Sequence, residues 1–357
     1  MAMQAAAQPS LSSDGTSAPP LDMERLDAYL SAHVDGFAGL RNASRLLGGN
    51  SNPIWRLEAA SGNYVLRTQP AGQLLKSAHA LDREFRVMSA LHGSPVPVAR
   101  PHVLCNDLDV IGVQFYLMDL VSGRVHRDVA LPEWPRESRA SIYEAALDML
   151  ATIHRTDVDG LGLRDFGRPG NYFERQFHRW SQQYRTAVPE GEPEMDRLIE
   201  RLGTVMPADD RPAVLLHGDS RLDNLMFDVR TGRVVAVLDW ELSTLGHPLA
   251  DLGQFLAVQE LAHDYLLPGL GGLDRAALGI PTRRELATRY LRTMGMDTQV
   301  DLRPHMAFAM FRQAAMSAGL RRRAQLGTAV ADSARLFGDT MDVFARLGLR
   351  LLDGAVD

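Results

Sequence analysis

The spacing of hydrophobic residues changes twice along the chain. Residues 21–34 carry apolar side chains at helical spacing, so they predict a helix. Short apolar runs between Gly, Asn and Ser then predict one strand before residue 48 and two more over 54–58 and 64–68. The stretch "SAHALDREFRVMSALHG" returns to helical spacing and ends near Gly93. Together these elements predict a small, β-rich lobe.

The remainder of the chain is predicted to be mainly helical. "VIGVQFYLMDLVSG" has the composition of one more strand, and helical patterns follow from about residue 132. We therefore expect a disordered tail at 1–21, a β-rich N-terminal lobe at 22–118, a short connector at 119–123 and a helical C-terminal lobe at 124–357. The predicted fold class is α+β, with two lobes.

One stretch of the helical lobe departs from this pattern. "LLHGDSRLDNLMFD" places polar residues between two short apolar runs, as at the end of a buried strand pair. The runs at 225–227 and 234–238 are joined by "DVRTGR", which predicts an antiparallel hairpin that returns Asp239 towards Asn224. Asp219, Asn224 and Asp239 are thus expected at one end of two strands. Carboxylate and amide oxygens suit Mg²⁺, and a further carboxylate can accept a proton from a hydroxyl.

Composition and charge narrow the class of protein. The chain has 357 residues, 45% of them hydrophobic, and a formal net charge of −6, which favours neither nucleic acid nor an anionic membrane as the main partner. No stretch is apolar enough to span a bilayer, and residues 1–20 lack the basic start and apolar block of a signal peptide. The single cysteine, Cys105, excludes an internal disulfide. We therefore expect a cytoplasmic protein, with its oligomeric state left open.

The polar stretch also has the residue order of a known enzyme class. "HGDSRLDN" shows the His-x-Asp-x-x-x-x-Asn spacing of the protein-kinase catalytic loop, and Asp239 takes the place of the aspartate in the kinase Asp-Phe-Gly motif. Trp240 and Glu241 follow it, so the Phe-Gly pair is absent. With "HPLADLG" downstream, the sequence resembles the aminoglycoside phosphotransferase family of kinase-like enzymes. "GGNSNPIWRL", "YVLR" and "GQLLKSAHALDREFRVMSAL" narrow the resemblance to a branch related to the kinase-like domains joined to acyl-CoA dehydrogenases. It covers about residues 43–323.

The resemblance implies a protein-kinase-like fold and a phosphotransferase that uses ATP and Mg²⁺. It makes 22–118 the nucleotide-binding lobe, 119–123 the hinge and 124–357 the catalytic and substrate-binding lobe. Asp219 would orient and deprotonate a hydroxyl, while Asn224 and Asp239 would hold Mg²⁺. His217 is expected to be structural. Asp251 in "HPLADLG" is expected either to cap a helix or to accept hydrogen bonds from the catalytic-loop backbone.

A second set of residues is implied to bind the nucleotide. The predicted nucleotide-binding residues are Gly49, Asn50, Ser51, Asn52, Arg67, Glu84, Met118 and Leu120. The first four would form the turn over the phosphates, and the last two would meet the base through backbone groups of the hinge. Arg67 replaces the usual kinase lysine, with Glu84 as its helix partner; it keeps the charge but has a broader, planar head. Lys76, the only lysine in the chain, is expected to be solvated.

The predicted acceptor is a small-molecule hydroxyl. Residues 175–185 and 312–323 are rich in arginine, and Arg312 and Arg322 are candidate acceptor contacts. Because aminoglycosides are polycations, arginines fit a hydroxy acid or a hydroxyacyl-CoA better, in line with the acyl-CoA dehydrogenase branch.

The alternatives are a non-catalytic nucleotide-binding regulator, an aminoglycoside-type antibiotic kinase, a protein kinase and an acyl-CoA dehydrogenase. The intact Asp-Asn-Asp set argues against the first. The lack of an Ala-Pro-Glu motif argues against a protein kinase, and the lack of room for a flavin domain against a dehydrogenase.

Overall fold

The computed structural model describes residues 21–46, 52–70, 81–168, 170–326 and 340–355. The chain forms two compact units. The first contains the chain up to Leu81 and His102–Leu120, and the second contains Asp82–Pro101 and Val121–Asp357. The predicted α+β class is confirmed, because the first unit is built on a sheet and the second mainly on helices. The predicted tail falls, except for Leu21, outside the described residues.

In chain order the described helices are α1 (Met23–His33), α2 (Leu81–Leu91), α3 (Leu108–Ile111), α4 (Arg136–His154), α5 (Tyr172–Ala187), α6 (Pro193–Thr204), α7 (Pro248–Val258), α8 (Arg275–Leu278), α9 (Arg283–Thr293), α10 (Arg303–Gln325) and α11 (Met341–Asp353). The described strands are β1 (Leu40–Leu46), β2 (Ile54–Ala59), β3 (Gly62–Thr68), β4 (Pro101–Cys105), β5 (Phe115–Asp119), β6 (Arg124–Val125), β7 (Val214–Leu216), β8 (Leu225–Phe227), β9 (Val234–Val237) and β10 (Thr244–Gly246). Short 3₁₀ turns cover Leu222–Asn224 and Trp240–Leu242.

The first unit is a five-stranded sheet in the order β1-β2-β3-β5-β4. Leu26 and Leu30 of α1 pack in one buried cluster with Leu66 of β3. Because successive residues of a strand face opposite sides of the sheet, Val65 and Arg67 lie on the face away from Leu66. Arg67 is buried there, at 6% exposure.

Two elements of this unit differ from the sequence prediction. β4 is not predicted, because its five residues follow the proline-rich stretch "GSPVPVAR", which is typical of a loop. The strand predicted from residue 110 begins at Phe115 instead, because the residues before it form α3. Asp107 caps that helix by accepting from the Asp109 N–H at 2.9 Å, and Gly112 ends it with a φ of 81°.

The interior of the second unit contains polar helix positions. α10 packs against α5, α7 and α11. Every residue of α7 from Pro248 through Ala257 is buried, so this helix has no solvated face. Polar side chains on α7 must therefore form their hydrogen bonds inside the protein. In the described part of the chain, no helix combines the length and the apolar character that crossing a bilayer requires.

The polar stretch of the second unit lies between two small sheets, one of β7 and β10 and one of β6, β8 and β9. β8 and β9 form the predicted antiparallel hairpin, and β6 pairs with β8. Leu225 pairs with Val237, so the residue before β8, Asn224, lies opposite Leu238 and next to Asp239. β7 pairs with β10 and ends at Leu216, immediately before the first polar residue of the stretch, His217.

Candidate active site

The polar stretch leaves β7 through a position that only glycine can occupy. Gly218 has a φ of +85°, and a Cβ there would lie 2.2 Å from the carbonyl oxygen of Leu242. The close approach and the positive φ each exclude a side chain. Gly218 therefore determines how the backbone enters Asp219.

Asp251 on α7 holds the backbone of this loop. Its carboxylate accepts from the His217 N–H at 2.7 Å and from the Gly218 N–H at 3.0 Å. Its backbone carbonyl accepts from the Ser220 hydroxyl at 2.5 Å. The N-cap of α7 is His247. Of the two roles expected for Asp251, the structure shows the buried acceptor that supports the loop.

Basic groups compensate the buried charge of Asp251. His154 Nε2 lies 3.2 Å from Asp251 Oδ2, and Arg312 donates to the carbonyl oxygen of Gly218. Burial raises the pKa of the Asp251 carboxyl, but the hydrogen bond from His154 and the charge of Arg312 outweigh it and keep the pKa below its ordinary value. Arg312, predicted to contact the acceptor, is 6% exposed and supports the loop from inside instead.

His217 joins the loop to the hairpin. Its Nε2 donates to the Leu238 carbonyl oxygen at 2.7 Å, and its Nδ1 accepts from the Asp219 N–H at 3.2 Å. These two bonds correspond to the neutral ring with the proton on Nε2. The N–H of Leu238 donates to the Asn224 carbonyl at 2.9 Å. His217 is therefore structural, as expected, and its bonds place Asp219 and Asp239 on the same side of the hairpin end.

Amide groups surround the carboxylate of Asp219. Asn224 Nδ2 donates to the Asp219 carbonyl oxygen at 2.7 Å and to Oδ2 at 3.1 Å. Gln254 Nε2 on α7 donates to Oδ1 at 3.2 Å, and Gln313 Nε2 on α10 donates to the same oxygen at 3.4 Å. The Asp219 side chain is 17% exposed. Gln254 and Gln313 were not identified from the sequence, because nothing near them in the chain marks them as neighbours of Asp219.

The predicted magnesium ligands have suitable chemistry. The two bonds from Asn224 Nδ2 orient the side chain so that its Oδ1 is the end directed away from Asp219. Asp239 adds a carboxylate from a residue with φ 60° and ψ 64°, a conformation that L residues seldom adopt. The described residues contain no group of three or more histidine, cysteine or carboxylate side chains arranged to hold a metal. An amide and a carboxylate fit Mg²⁺, which keeps waters and phosphates as its other ligands.

Arg221 is a charged member of the site to which sequence reasoning assigned no role. Its guanidinium pairs with Asp223 through Nε at 2.9 Å and NH2 at 2.5 Å, and Nε lies 4.0 Å from Asp219 Oδ2. Burial lowers the pKa of Arg221, but the carboxylates of Asp219, Asp223 and Asp239 outweigh it and raise the pKa above its ordinary value. Its position inside "HGDSRLDN", between the two key residues, is the signal that could have identified it.

A shallow, open recess adjoins Arg221. Arg127, Arg221 and Asp223 contribute charge to its lining, with Arg221 paired to Asp223. Val129, Phe255 and Leu267 contribute apolar surface. The recess therefore combines a charged wall of two arginines and one aspartate with an apolar wall.

The predicted nucleotide-binding residues are partly described. Asn52 is buried, Arg67 lies buried on β3, and Met118 and Leu120 lie half-buried at the end of β5. The N–H of Leu120 donates to the Asn63 carbonyl at 3.4 Å. Glu84 on α2 is buried at 1% exposure and belongs to the second unit. Gly49, Asn50 and Ser51, like Lys76, lie outside the described residues. The role of this set stays a prediction.

A profile of the phosphotransferase enzyme family matches residues 42–287, which is more than half of the chain. The chain belongs to this phosphotransferase family. Asp219, Asn224 and Asp239 all lie inside the matched range of the phosphotransferase.

Curated relatives of the phosphotransferase are longer proteins. It is 36% identical over 335 residues to acyl-CoA dehydrogenase family member 11 of Homo sapiens, covering 92% of this chain and 43% of that protein. It is 40% identical over 300 residues to acyl-CoA dehydrogenase family member 10 of Mus musculus, covering 84% of this chain and 28% of that protein. The chain thus spans less than half the length of the curated relatives it matches.

Solved structures confirm the predicted kinase-like fold. The crystal structure of a candidate aminoglycoside phosphotransferase from Ralstonia eutropha JMP134 is 40% identical, with a TM-score of 0.81 over 94% of this chain and 99% of that one. Spectinomycin phosphotransferase APH(9)-Ia, solved with ADP and spectinomycin, has a TM-score of 0.61 at 12% identity, covering 93% of this chain and 99% of that one. The second similarity shows the fold alone.

Proposed function

We propose that the chain is an ATP-dependent phosphotransferase that moves the γ-phosphate of ATP to a hydroxyl of a small molecule. The observation that carries the proposal is the setting of Asp219. Its carboxylate is held by three amide donors, and it adjoins an amide oxygen and a carboxylate suited to Mg²⁺. A protein that only bound nucleotide would not require an oriented carboxylate at this position.

Asp219 orients the attacking hydroxyl and accepts its proton. The hydroxyl oxygen forms a bond to the γ-phosphorus, the bond from that phosphorus to the β–γ bridging oxygen breaks, and ADP leaves. Asn224 and Asp239 would hold Mg²⁺, which supplies positive charge to the phosphate oxygens. Arg221 offsets the negative charge of the nearby carboxylates, which would otherwise repel an anionic phosphate.

The nucleotide role of the predicted residues follows from charge and family membership. Arg67 is a buried cation on β3 and would pair with phosphate oxygens. Backbone groups near Met118 and Leu120 would meet the base. Support for ATP comes from distant members of the fold that were solved with ADP or AMP-PNP.

For the acceptor we propose a hydroxy acid or a hydroxyacyl-CoA ester. The recess beside Arg221 supports this class, because two arginines against one aspartate leave its lining net positive, which suits a carboxylate or phosphate. Its apolar wall suits an acyl chain. The curated relatives carry an acyl-CoA dehydrogenase name, which is consistent with an acyl acceptor.

Substitution of the proposed base tests the function. Asp219→Asn should leave ATP binding close to that of the unsubstituted chain, because Asp219 contacts the acceptor and not the nucleotide. ADP release dependent on a hydroxy acid or hydroxyacyl-CoA should fall at least about a hundredfold, since base and positioning effects are of that size. Binding is measured by calorimetry and turnover by a coupled ADP assay.

The matched control is Asp264→Asn, which changes an exposed aspartate and should leave both quantities unchanged. If Asp219→Asn retained most of the turnover, the assigned role of Asp219 would be refuted. If the unsubstituted chain released no ADP with any hydroxyl compound in a broad panel, the regulator would be the better description.

A further inference from the structure

Two glutamines from different helices meet at one oxygen of Asp219. Gln254 comes from α7 and Gln313 from α10, 35 and 94 residues from Asp219 in the chain. Both direct Nε2 at Oδ1, at 3.2 Å and 3.4 Å. Because α7 and α10 pack against each other, the meeting point is set by rigid elements. Sites built on helices hold a side chain more precisely than sites built on loops.

The orientation of the Gln254 amide is determined by the charge it faces. Turned the other way, its Oε1 would oppose the carboxylate oxygen, and two acceptors cannot share a hydrogen bond. In the orientation that donates to Asp219, the buried Oε1 has no hydrogen-bond partner among the described residues. Gln254 is fully buried. A buried carbonyl oxygen without a partner lowers stability, so an apolar side chain would be more favourable here for folding alone.

The donors leave one position on the carboxylate for a ligand. A carboxylate has about four lone-pair sites, two on each oxygen. On Oδ1 they are taken by Gln254 and Gln313, and on Oδ2 one is taken by Asn224 Nδ2 at 3.1 Å. The Arg221 Nε lies 4.0 Å from Oδ2, beyond hydrogen-bond distance. Among the described contacts, the remaining lone pair therefore belongs to Oδ2.

We propose that Gln254 and Gln313 are positioning residues that hold Oδ1 of Asp219, so that Oδ2 receives the proton of the acceptor hydroxyl. This inference rests on the proposed phosphotransferase function. The two amides act through Asp219 and need not touch the acceptor. They keep the carboxylate from rotating, so that its open lone pair stays aimed in one direction.

The test is a pair of substitutions that remove the donor and keep the length of the side chain. Gln254→Met and Gln313→Met should each lower kcat about tenfold, because a hydrogen bond to a charged group has roughly that weight. The Kd for ATP should stay unchanged. The melting temperature of Gln254→Met should be equal to or higher than that of the unsubstituted chain, since the buried Oε1 is removed. The double substitution should lower kcat by more than the product of the two single effects, because either amide partly replaces the other.

A matched control and a second readout separate this inference from the proposed function. Gln176→Met removes the amide oxygen that accepts from the Trp180 indole at 3.0 Å on α5, and it should leave kcat unchanged. Crystal structures of the unsubstituted chain and of Gln254→Met should show one orientation of the Asp219 carboxylate in the first and several in the second. This readout requires no acceptor.

Each outcome bears on one of the two claims. A single carboxylate orientation in both crystal structures, with kcat unchanged in both single variants, would overturn the positioning role. A melting temperature of Gln254→Met well below that of the unsubstituted chain, with kcat unchanged, would make Gln254 a structural residue only. Absence of ADP release in the unsubstituted chain with hydroxy acids, hydroxyacyl-CoA and aminoglycosides would reject the proposed function, while the orientation of Asp219 would still decide the positioning role.

Discussion

Asp239 has a strained backbone at the end of the hairpin. Its φ of 60° and ψ of 64° lie in the left-handed region, which costs a residue with a Cβ on the order of 1–3 kcal/mol. The surroundings hold it there, because the next residue, Trp240, is buried and donates its indole N–H to the Val237 carbonyl at 3.1 Å. Such strain persists where neighbouring structure determines it, and it is common at functional sites. The strain therefore marks Asp239 as a residue whose backbone the surrounding structure holds in place.

Removal of this carboxylate should abolish the magnesium-dependent part of nucleotide binding. A ligand at a hundred times its Kd stabilises the folded state by about 2.7 kcal/mol. In a chain of this size that corresponds to a rise of several degrees in melting temperature. Asp239→Ala should retain only the part of the ATP effect that is seen with EDTA.

The comparison uses differential scanning fluorimetry with ATP, with and without MgCl₂. Asp264→Ala, an exposed aspartate, should behave like the unsubstituted chain. An undiminished magnesium effect in Asp239→Ala would exclude Asp239 as a ligand.

The contact between the start of α7 and the first turn of α10 contains two buried histidines. His247 caps α7, and its Nε2 lies 3.2 Å from Asp210 Oδ1. His305 on α10 donates from Nδ1 to the Asp301 carbonyl at 3.2 Å, and the two imidazole rings are 6.1 Å apart. Burial is the main cause, and the nearby His247 the second, that lowers the pKa of His305 to about 4.

This contact makes stability depend on pH. In the unfolded chain His305 titrates near its ordinary pKa of about 6.5, and in the folded chain at about 4. Between these values the unfolded state binds a proton that the folded state does not, so stability is complete above about pH 6.5 and decreases as the pH falls to 4. The loss attributable to His305 is on the order of 3 kcal/mol.

Urea denaturation at pH 7, 5.5 and 4.5 measures this effect. His305→Phe should reduce the pH-dependent change in the free energy of unfolding by about 3 kcal/mol, because Phe has no proton to bind. His33→Gln, at an exposed histidine of α1, is the control and should leave the slope unchanged. If the free energy of unfolding changed with pH equally in His305→Phe and in the unsubstituted chain, His305 would not be the source of the pH dependence.

For the molecule as a whole, net charge does not select the acceptor. The chain carries a net charge of −6, yet the recess beside Arg221 has two arginines and one aspartate in its lining. Local charge decides which ligand is stabilised, because charges farther apart than about 8 Å are largely screened at physiological salt. Of the two arginines that the sequence prediction named, Arg312 is turned into the protein and Arg322 is exposed on α10. In the same segment Arg321 pairs with Glu192 at 3.3 Å.

Arg127 is therefore the better position at which to test acceptor choice. Arg127→Glu should raise the KM for a hydroxy acid or hydroxyacyl-CoA about tenfold or more and leave the KM for ATP unchanged, as expected for lost acceptor binding. Arg230→Glu, at an exposed arginine of the hairpin turn, should change neither. Efficient phosphorylation of kanamycin-like amines, without activity on any hydroxy acid or thioester, would instead support an antibiotic kinase.

Local patterns account for what the sequence determined by itself. α1, β2, β3 and α2 are recognisable because helical or alternating periods and turn residues act within a few positions. Asp219 and Asn224 are five residues apart, and one hairpin turn returns Asp239 to them, so these groups could be identified from the sequence.

Only the tertiary structure decided which groups surround them. Gln254 and Gln313 reach Asp219 from 35 and 94 residues away, and Arg312 reaches Gly218 from 94 residues away. Hydrogen bonds between side chains on separate elements leave no period or turn signal in the sequence, because they depend on how helices pack in three dimensions. The sequence therefore determined that Asp219, Asn224 and Asp239 lie near one another, and the packing of α7 and α10 decided that Gln254 and Gln313 donate to Oδ1 of Asp219.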